Sequence, residues 1–119
     1  MLNLFDTTQL GLERAVAGAG MRQATLAGNV ANANTPGYQR KDLDFHGALS
    51  AAMQVGRTAV RQVTFTPATD SGATMRADGN SVDIDVESAK MSSNALEYEA
   101  LVSVDRGRID ILESAMGNR

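Results

Sequence analysis

The sequence predicts a mainly α-helical chain. Long N- and C-terminal helices pack as an antiparallel, coiled-coil-like pair, and a long central loop region holds a short helix and a small β element. Three observations predict this. Apolar residues recur at spacings of three and four near both ends. Nearly fifty mostly polar residues, rich in turn formers, lie between them. Aromatic residues make up only 4%, with no Trp, whereas 18 residues are alanine, a composition that suits close helix packing rather than a wide interior. At 119 residues the chain reads as one domain, 1–119, divided into an N-terminal helix (1–34), a loop region (35–85) and a C-terminal helix (86–119).

The first helix is expected over 7–33. Phe5, Leu12, Ala19, Leu26 and Ala33 recur by sevens, as do Leu2, Gln9, Val16, Gln23 and Val30. Together they form the seam of a coiled coil interrupted by two glutamines. Asp6 is the expected N-cap, with Gln9 at the reach-back position of a capping box and Phe5–Leu10 as a hydrophobic staple; Asn3 is a competing cap. Gly11, Gly18, Gly20 and Gly28 each cost about 1 kcal/mol relative to Ala inside a helix. That cost makes sense where another backbone approaches closely. The helix end is strongly specified. Thr35 precedes Pro36 and is pushed out of the helical region. Pro36-Gly37 suits the centre of a type II turn, and Asn32 and Asn34 can bond frayed backbone groups or adopt left-handed φ.

In the middle, Phe45, Leu49, Ala52 and Met53 predict a short amphipathic helix within 45–54. Val60, Val63 and Phe65 are scattered anchors in the polar stretch that follows. Asp78-Gly79-Asn80 reads as a turn. The alternation after it predicts a strand with Val82, Ile84 and Val86 on one face and Asp83, Asp85 and Glu87 on the other. A connection of this length between two helices is usually functional or disordered.

The second long helix is expected over 86–116. Met91, Ala95, Tyr98, Val102, Asp105, Ile109, Leu112 and Met116 alternate spacings of four and three, with Asp105 the one polar member. Asp105 must reach a cation such as Arg14 or Arg22, or mark where the seam opens. Leu101, Val104 and Ile111 lie off this seam, so a two-helix pair leaves them partly uncovered. Two stripes, a widened second face and no third long helix point to assembly with other chains.

The chemistry-bearing residues argue against catalysis. There is no cysteine, which excludes disulfides, thiol catalysis and thiolate metal sites. His46 is the sole histidine and reads as a surface or half-buried residue. The acids of 78–87 follow the glycine, the reverse of a calcium-loop pattern, and read as a turn and a wet strand face. Arg40-Lys41 with Asp42 and Asp44 forms either an ion-pairing surface for a neighbour or a solvated loop; spacing does not choose between them. No catalytic, cofactor or metal residue is expected. Net charge is −3, not a nucleic-acid footprint. Residues 34–62 are net positive and 63–119 net negative, a polarity that suits head-to-tail contact. No run approaches the roughly 20 apolar residues of a membrane span. The N-terminus lacks the basic and apolar regions of a secretory signal peptide.

Ala31, Asn32, Ala33, Asn34, Thr35, Pro36, Gly37 and Tyr38, closing a long N-terminal helix, resemble the turn element of the rod proteins of the bacterial flagellar basal body. The segments "DLDF" (42–45) and "DGNSVDIDVE" (78–87) narrow the resemblance to the proximal-rod members; 55–75 resembles nothing specific. The resemblance implies a structural, non-enzymatic subunit exported by the flagellar type III apparatus without a cleaved signal. It implies a rod around a central channel, built by the terminal helices through the seams Leu12, Val16, Leu26, Val30, Tyr98, Val102, Ile109 and Leu112. The implied partners are other copies, other rod proteins and, at the proximal end, the export gate, the rod–MS-ring junction protein and the MS ring. The turn would hold the loop at a crowded junction, with "QRKDLDF" meeting a neighbour. A soluble helical adaptor or type III secretion chaperone is the alternative, and a metal-binding or hydrolytic domain built on 78–87 is a further one.

Overall fold

The structure, a computed structural model, describes residues 6–117. Four helices and one small ladder follow in order: α1 (Thr7–Ala31), β1 (Lys41–Asp42), α2 (Phe45–Val55), α3 (Arg57–Gln62), β2 (Ala68–Thr69) and α4 (Ile84–Gly117). The expected class holds: a mainly helical chain in which α1 packs against α4, with a small two-stranded sheet in the middle. The chain measures 66 × 27 × 15 Å, as expected for α4, whose 34 residues run about 50 Å.

α1 and α4 are antiparallel, as their contacts show. Asp6 meets Arg108, Gln9 meets Asp105, Ala19 and Gln23 meet Asn94, and Asn29 meets Glu87. Polar groups stud this seam. The two glutamines that interrupt the α1 stripe are the residues that reach across: Gln9 Nε2 donates to Asp105 Oδ1 (2.6 Å), and Gln23 Oε1 accepts from Asn94 Nδ2 (2.8 Å). Leu26 and Ala19 are fully buried, and Leu12, Val16 and Val30 are half-buried.

The apolar core lies on another side of α1. There Ala15 and Ala19 meet Leu43, Phe45, Leu49, Ala52, Val60 and Phe65. Gly18 makes it possible. A Cβ at Gly18 would stand 2.7 Å from Phe45 Cβ and Cγ, so the glycine is the notch that seats the Phe45 ring. Burial of that ring is worth roughly 2–3 kcal/mol. Gly11 does the same less tightly for the Met53 sulfur (3.1 Å). What approaches these two glycines is a side chain of the same protein, not a backbone.

Several local expectations change. Asp6 is the N-cap, its Oδ1 accepting from Gln9 N (2.8 Å), but no capping box forms because Gln9 is committed to Glu13, Asp105 and Arg108. The Phe5 staple, the Asn3 cap and Leu2 lie outside the described residues. Asp105 finds Gln9 rather than a cation. Arg14 donates to the Arg61 and Val63 carbonyls, and Arg22 is paired with Asp42. The strand predicted at 82–86 is a helix start. Asp83 caps α4 by accepting from the backbone N–H of Asp85 (3.0 Å) and Val86 (3.3 Å). Val82 is buried and Asp83 and Asp85 are exposed as the alternation expects, but Ile84 and Val86 are 48% and 46% exposed and Glu87 is fully buried, which breaks it. The ladder that does form pairs Lys41 with Thr69 and Asp42 with Ala68. α3 and this pairing order much of the stretch that looked like free loop.

Candidate functional site

The end of α1 and the Asp78–Asn80 turn dock on one another. Thr35-Pro36-Gly37-Tyr38 is a type II turn: Tyr38 N–H donates to Thr35 O (3.2 Å) and Gly37 has φ +76°. Asn32 caps the helix without left-handed φ, donating its side chain to Gly28 O (2.9 Å), while Thr35 Oγ1 donates to Asn32 Oδ1 (3.2 Å). Asn34 is exposed on the turn, and Pro36 and Gly37 are exposed beside it.

Asn80 is the bolt between the two segments. Its Nδ2 donates to Asn32 O (2.9 Å) and Thr35 O (2.8 Å), and its Oδ1 accepts from Val82 N (2.7 Å), which satisfies a side chain with no solvent exposure. Arg76 donates to Ala33 O and to Val82 O (3.0 Å). Gly37 N donates to Asp78 O (2.9 Å) and Ser81 N to Tyr38 O (3.0 Å). These bonds serve the carbonyls that a helix end otherwise leaves orphaned. Gly79, at φ +81°, lets the loops touch, since a Cβ there would lie 3.3 Å from the Gly37 Cα.

Beneath this turn lies a charge clasp. Arg40, almost wholly buried, donates Nε to Glu87 Oε1, Nη1 to Asp70 Oδ2 (2.7 Å) and Nη2 to both Asp42 Oδ2 and Glu87 Oε2 (each 3.3 Å). Asp42 also accepts from Arg22 Nε (2.9 Å), and Lys90 Nζ stands 3.6 Å from it. Three cations thus face three carboxylates, without net charge. Asn29 stitches the clasp to α1, donating to Lys41 O (2.7 Å) and Glu87 Oε2 (3.1 Å) and accepting from Lys41 N (3.0 Å) and Tyr38 Oη (3.2 Å).

The electrostatics follow from this geometry. Hydrogen bonds that it donates to Glu87, Asp70 and Asp42 hold the Arg40 guanidinium well above the ordinary arginine range against the opposing pull of burial. Burial pushes the Asp42 carboxyl up. Arg22, the Leu43 N–H and Arg40 together outweigh it and hold Asp42 well below the usual carboxylate range. The Arg40 hydrogen bond likewise lowers Asp70.

The clasp corrects one expectation. Arg40, Asp42, Leu43 and Phe45 of "QRKDLDF" turn into their own chain and do not reach for a neighbour; Gln39, Lys41 and Asp44 remain exposed. Of the predicted seam residues, Val102 and Leu112 are half-buried, whereas Tyr98 and Ile109 lie at the exposed rim. His46 is exposed, pairs with Glu97 and stacks on Phe45. Residues missed by sequence reasoning are Asn29, Arg76, Asn80 and Glu87. Only Asn80, polar and next to a turn glycine, carried a signal of its own.

Among the described residues no cluster of His, Cys, Asp or Glu is arranged to hold a metal ion, and no helix is long and apolar enough to cross a membrane. The acids of 78–87 are engaged otherwise: Asp78 accepts from Asn80 N (3.0 Å), Asp83 caps α4, and Glu87 meets Arg40.

Comparison with known proteins agrees in one direction. The family described as flagella basal body rod protein matches residues 13–39. The chain is similar to the flagellar basal body rod protein FlgB of Escherichia coli K12, 33% identical over 127 residues and 92% of each chain. It is similar to FlgB of Bacillus subtilis 168 at 31% over 97% of each chain. It is also similar to FlgB of Salmonella typhimurium LT2 at 30%, over 95% of this chain and 98% of the relative.

Proposed function

The chain belongs to the flagellar basal body rod protein family, as a structural subunit of the rod, and on that premise we propose how it is placed and used. It sits in the proximal rod, in the periplasm. Its neighbours are other copies and other rod proteins, with the export gate, the rod–MS-ring junction protein and the MS ring at the proximal end. It reaches that position through the flagellar type III apparatus without a cleaved signal. It is one domain, 1–119, without catalytic residues, cofactor, nucleic-acid partner or membrane insertion. Family membership leaves the soluble adaptor or chaperone reading without support.

One observation carries the reading. The clasp pairs Arg40, Asp42 and Asp70 of the loop within the chain, while apolar residues of the long helices stay outside. Tyr98 and Ile109 are 39% and 41% exposed on α4. Each such side chain is worth roughly 1.5–3 kcal/mol when fully buried, which an assembled rod would recover. Asn32, Asn34, Thr35, Pro36, Gly37 and Tyr38 serve assembly indirectly, by fixing the angle between α1 and the loop; Asn34, Pro36 and Gly37 are exposed and free to touch a neighbour.

The test is replacement of the native gene by a tagged copy, purification of basal bodies and quantitative mass spectrometry. The chain is expected at rod stoichiometry, and complete rods lacking it would overturn the reading. Ile109→Asp should leave the chain folded, because a side chain at the rim reaches water, yet lower its incorporation.

A further inference from the structure

The corner between α2 and α3 carries charge that the chain does not balance. From Phe45 to Thr69 there is no Asp or Glu, in a chain with 14 of them, while Arg57 and Arg61 lie in that stretch. The two stand four apart on α3, neighbours on one face of a six-residue helix, where like charges cost stability. Arg14 of α1 reaches the end of the same helix and donates to the Arg61 and Val63 carbonyls. Among the described residues none of these three arginines is in an ion pair, whereas Arg22, Arg40, Arg76 and Arg108 each meet a carboxylate. The Nε atoms of Arg14 and Arg57 are buried without a hydrogen-bond partner. Their guanidinium groups are thus partly stripped of water with no anion beside them. A carboxylate attracts a cation in that state more strongly than a fully hydrated one.

The corner is held in place. Gly56 ends α2 and begins α3 at φ +139°, a conformation that L side chains rarely adopt, and its N–H donates to Ala52 O (3.1 Å). This turn projects Val55, 81% exposed, two residues before Arg57, and Met53 is exposed two residues earlier. We propose, resting on the rod reading above, that the corner docks an acidic segment of a different protein of the basal body. That segment presents two carboxylates to Arg57 and Arg61 and an apolar residue to Val55. Acids three or four apart on a helix, about 5–6 Å from one another, match the spacing of the two arginines. Guanidinium forks pair such carboxylates bidentately. A second copy is the poorer match. Asp42, Asp70 and Glu87 are held in the clasp, and Asp6, Asp44 and Asp83 cap helices. Asp110 and Glu113, exposed at the end of α4, stand one and two turns from Arg106, which offsets their charge. An anionic lipid surface calls for about four to eight basic residues, more than the corner gathers.

Two measurements test the proposal. The double variant Arg57→Gln, Arg61→Gln should keep the thermal midpoint of the purified chain within about 3 °C of the wild type, because it breaks no bond inside the chain. It should lower incorporation into basal bodies by about tenfold, the loss of the charge-assisted contacts. A folded double variant that incorporates normally would overturn the docking while leaving the rod reading intact. Absence of the wild-type chain from basal bodies would overturn both. In the second measurement, basal bodies carrying Val55→p-benzoylphenylalanine are irradiated, and the cross-linked peptide is sequenced by mass spectrometry. The expected product joins position 55 to a peptide of a different protein with two acids close to the point of attachment. A cross-link to a second copy of this chain, to lipid or to a segment without acids would overturn the proposal, as would no cross-link at all.

Discussion

Removing the Glu87 carboxylate tests the clasp most directly. Glu87 is fully buried and receives three hydrogen bonds, two from Arg40 and one from Asn29. In Glu87→Gln the shape remains but only the amide oxygen can accept, so of the two Arg40 bonds one is lost to a donor–donor contact and the other is made to a neutral acceptor. At about 1 kcal/mol lost for each, the cost is about 2 kcal/mol. Glu87→Ala removes both carboxylate acceptors and leaves the Arg40 Nε without a partner in a dry site, while the Asn29 amide keeps only its bond to Lys41 O. That change belongs with broken buried ion pairs, at about 3–5 kcal/mol. Arg40 keeps Asp70 and Asp42, both partly exposed, so the lower end of this range is expected. Urea unfolding followed by circular dichroism gives both numbers, provided the slope stays that of the wild type. The double variant Arg40→Met, Glu87→Met should recover part of the loss, because it removes the unpaired charge along with its partner. Should both single variants unfold within about 0.5 kcal/mol of the wild type, the clasp is decoration and the argument from it fails.

Three further expectations follow. Gly18→Ala should destabilise the chain by about 1–2 kcal/mol in a melting experiment, because the clash with Phe45 outweighs the gain in helix propensity. Gly37→Val, forced to φ +76°, should lose about 1–3 kcal/mol in the same measurement and reduce swimming on soft agar. Asp42, depressed in the folded chain, contributes stability that is fully present above its unfolded value of about 3.9 and is lost as pH falls below it. The urea midpoint should therefore hold between about pH 7 and 5 and decline below about pH 4, with a shallower decline in Asp42→Asn.

The long helices were legible because the 3–4 spacing of their apolar residues is read without knowing their partners. The turn at Pro36-Gly37 was legible because its residues constrain their own backbones. What could not be read is what depends on contacts far apart in sequence. "VDIDV" satisfies the period of a strand, and the Asp83 cap together with the burial of Glu87 against Arg40, 47 positions away, makes it the start of a helix. The glycines of α1 looked alike on paper. Distance to Phe45 separates Gly18, which the chain needs for its core, from Gly28, which it does not. "QRKDLDF" looked outward because four of its seven residues are charged, and the structure turns Arg40 and Asp42 inward to balance one another.

Because the clasp holds Asp70 and the docked turn holds Arg76, the five residues 71–75 between them form a tip tethered at both ends. Its residues are mostly exposed, and Gly72 N and Ala73 N bond only to Asp70. Lengthening such a tip adds only about 0.6 kcal/mol of closure entropy per doubling, without disturbing either tether. The protein therefore has an interior position that can be extended like a terminus. An epitope or fluorophore-binding peptide placed there would report on the subunit inside the basal body while both long helices keep their native ends.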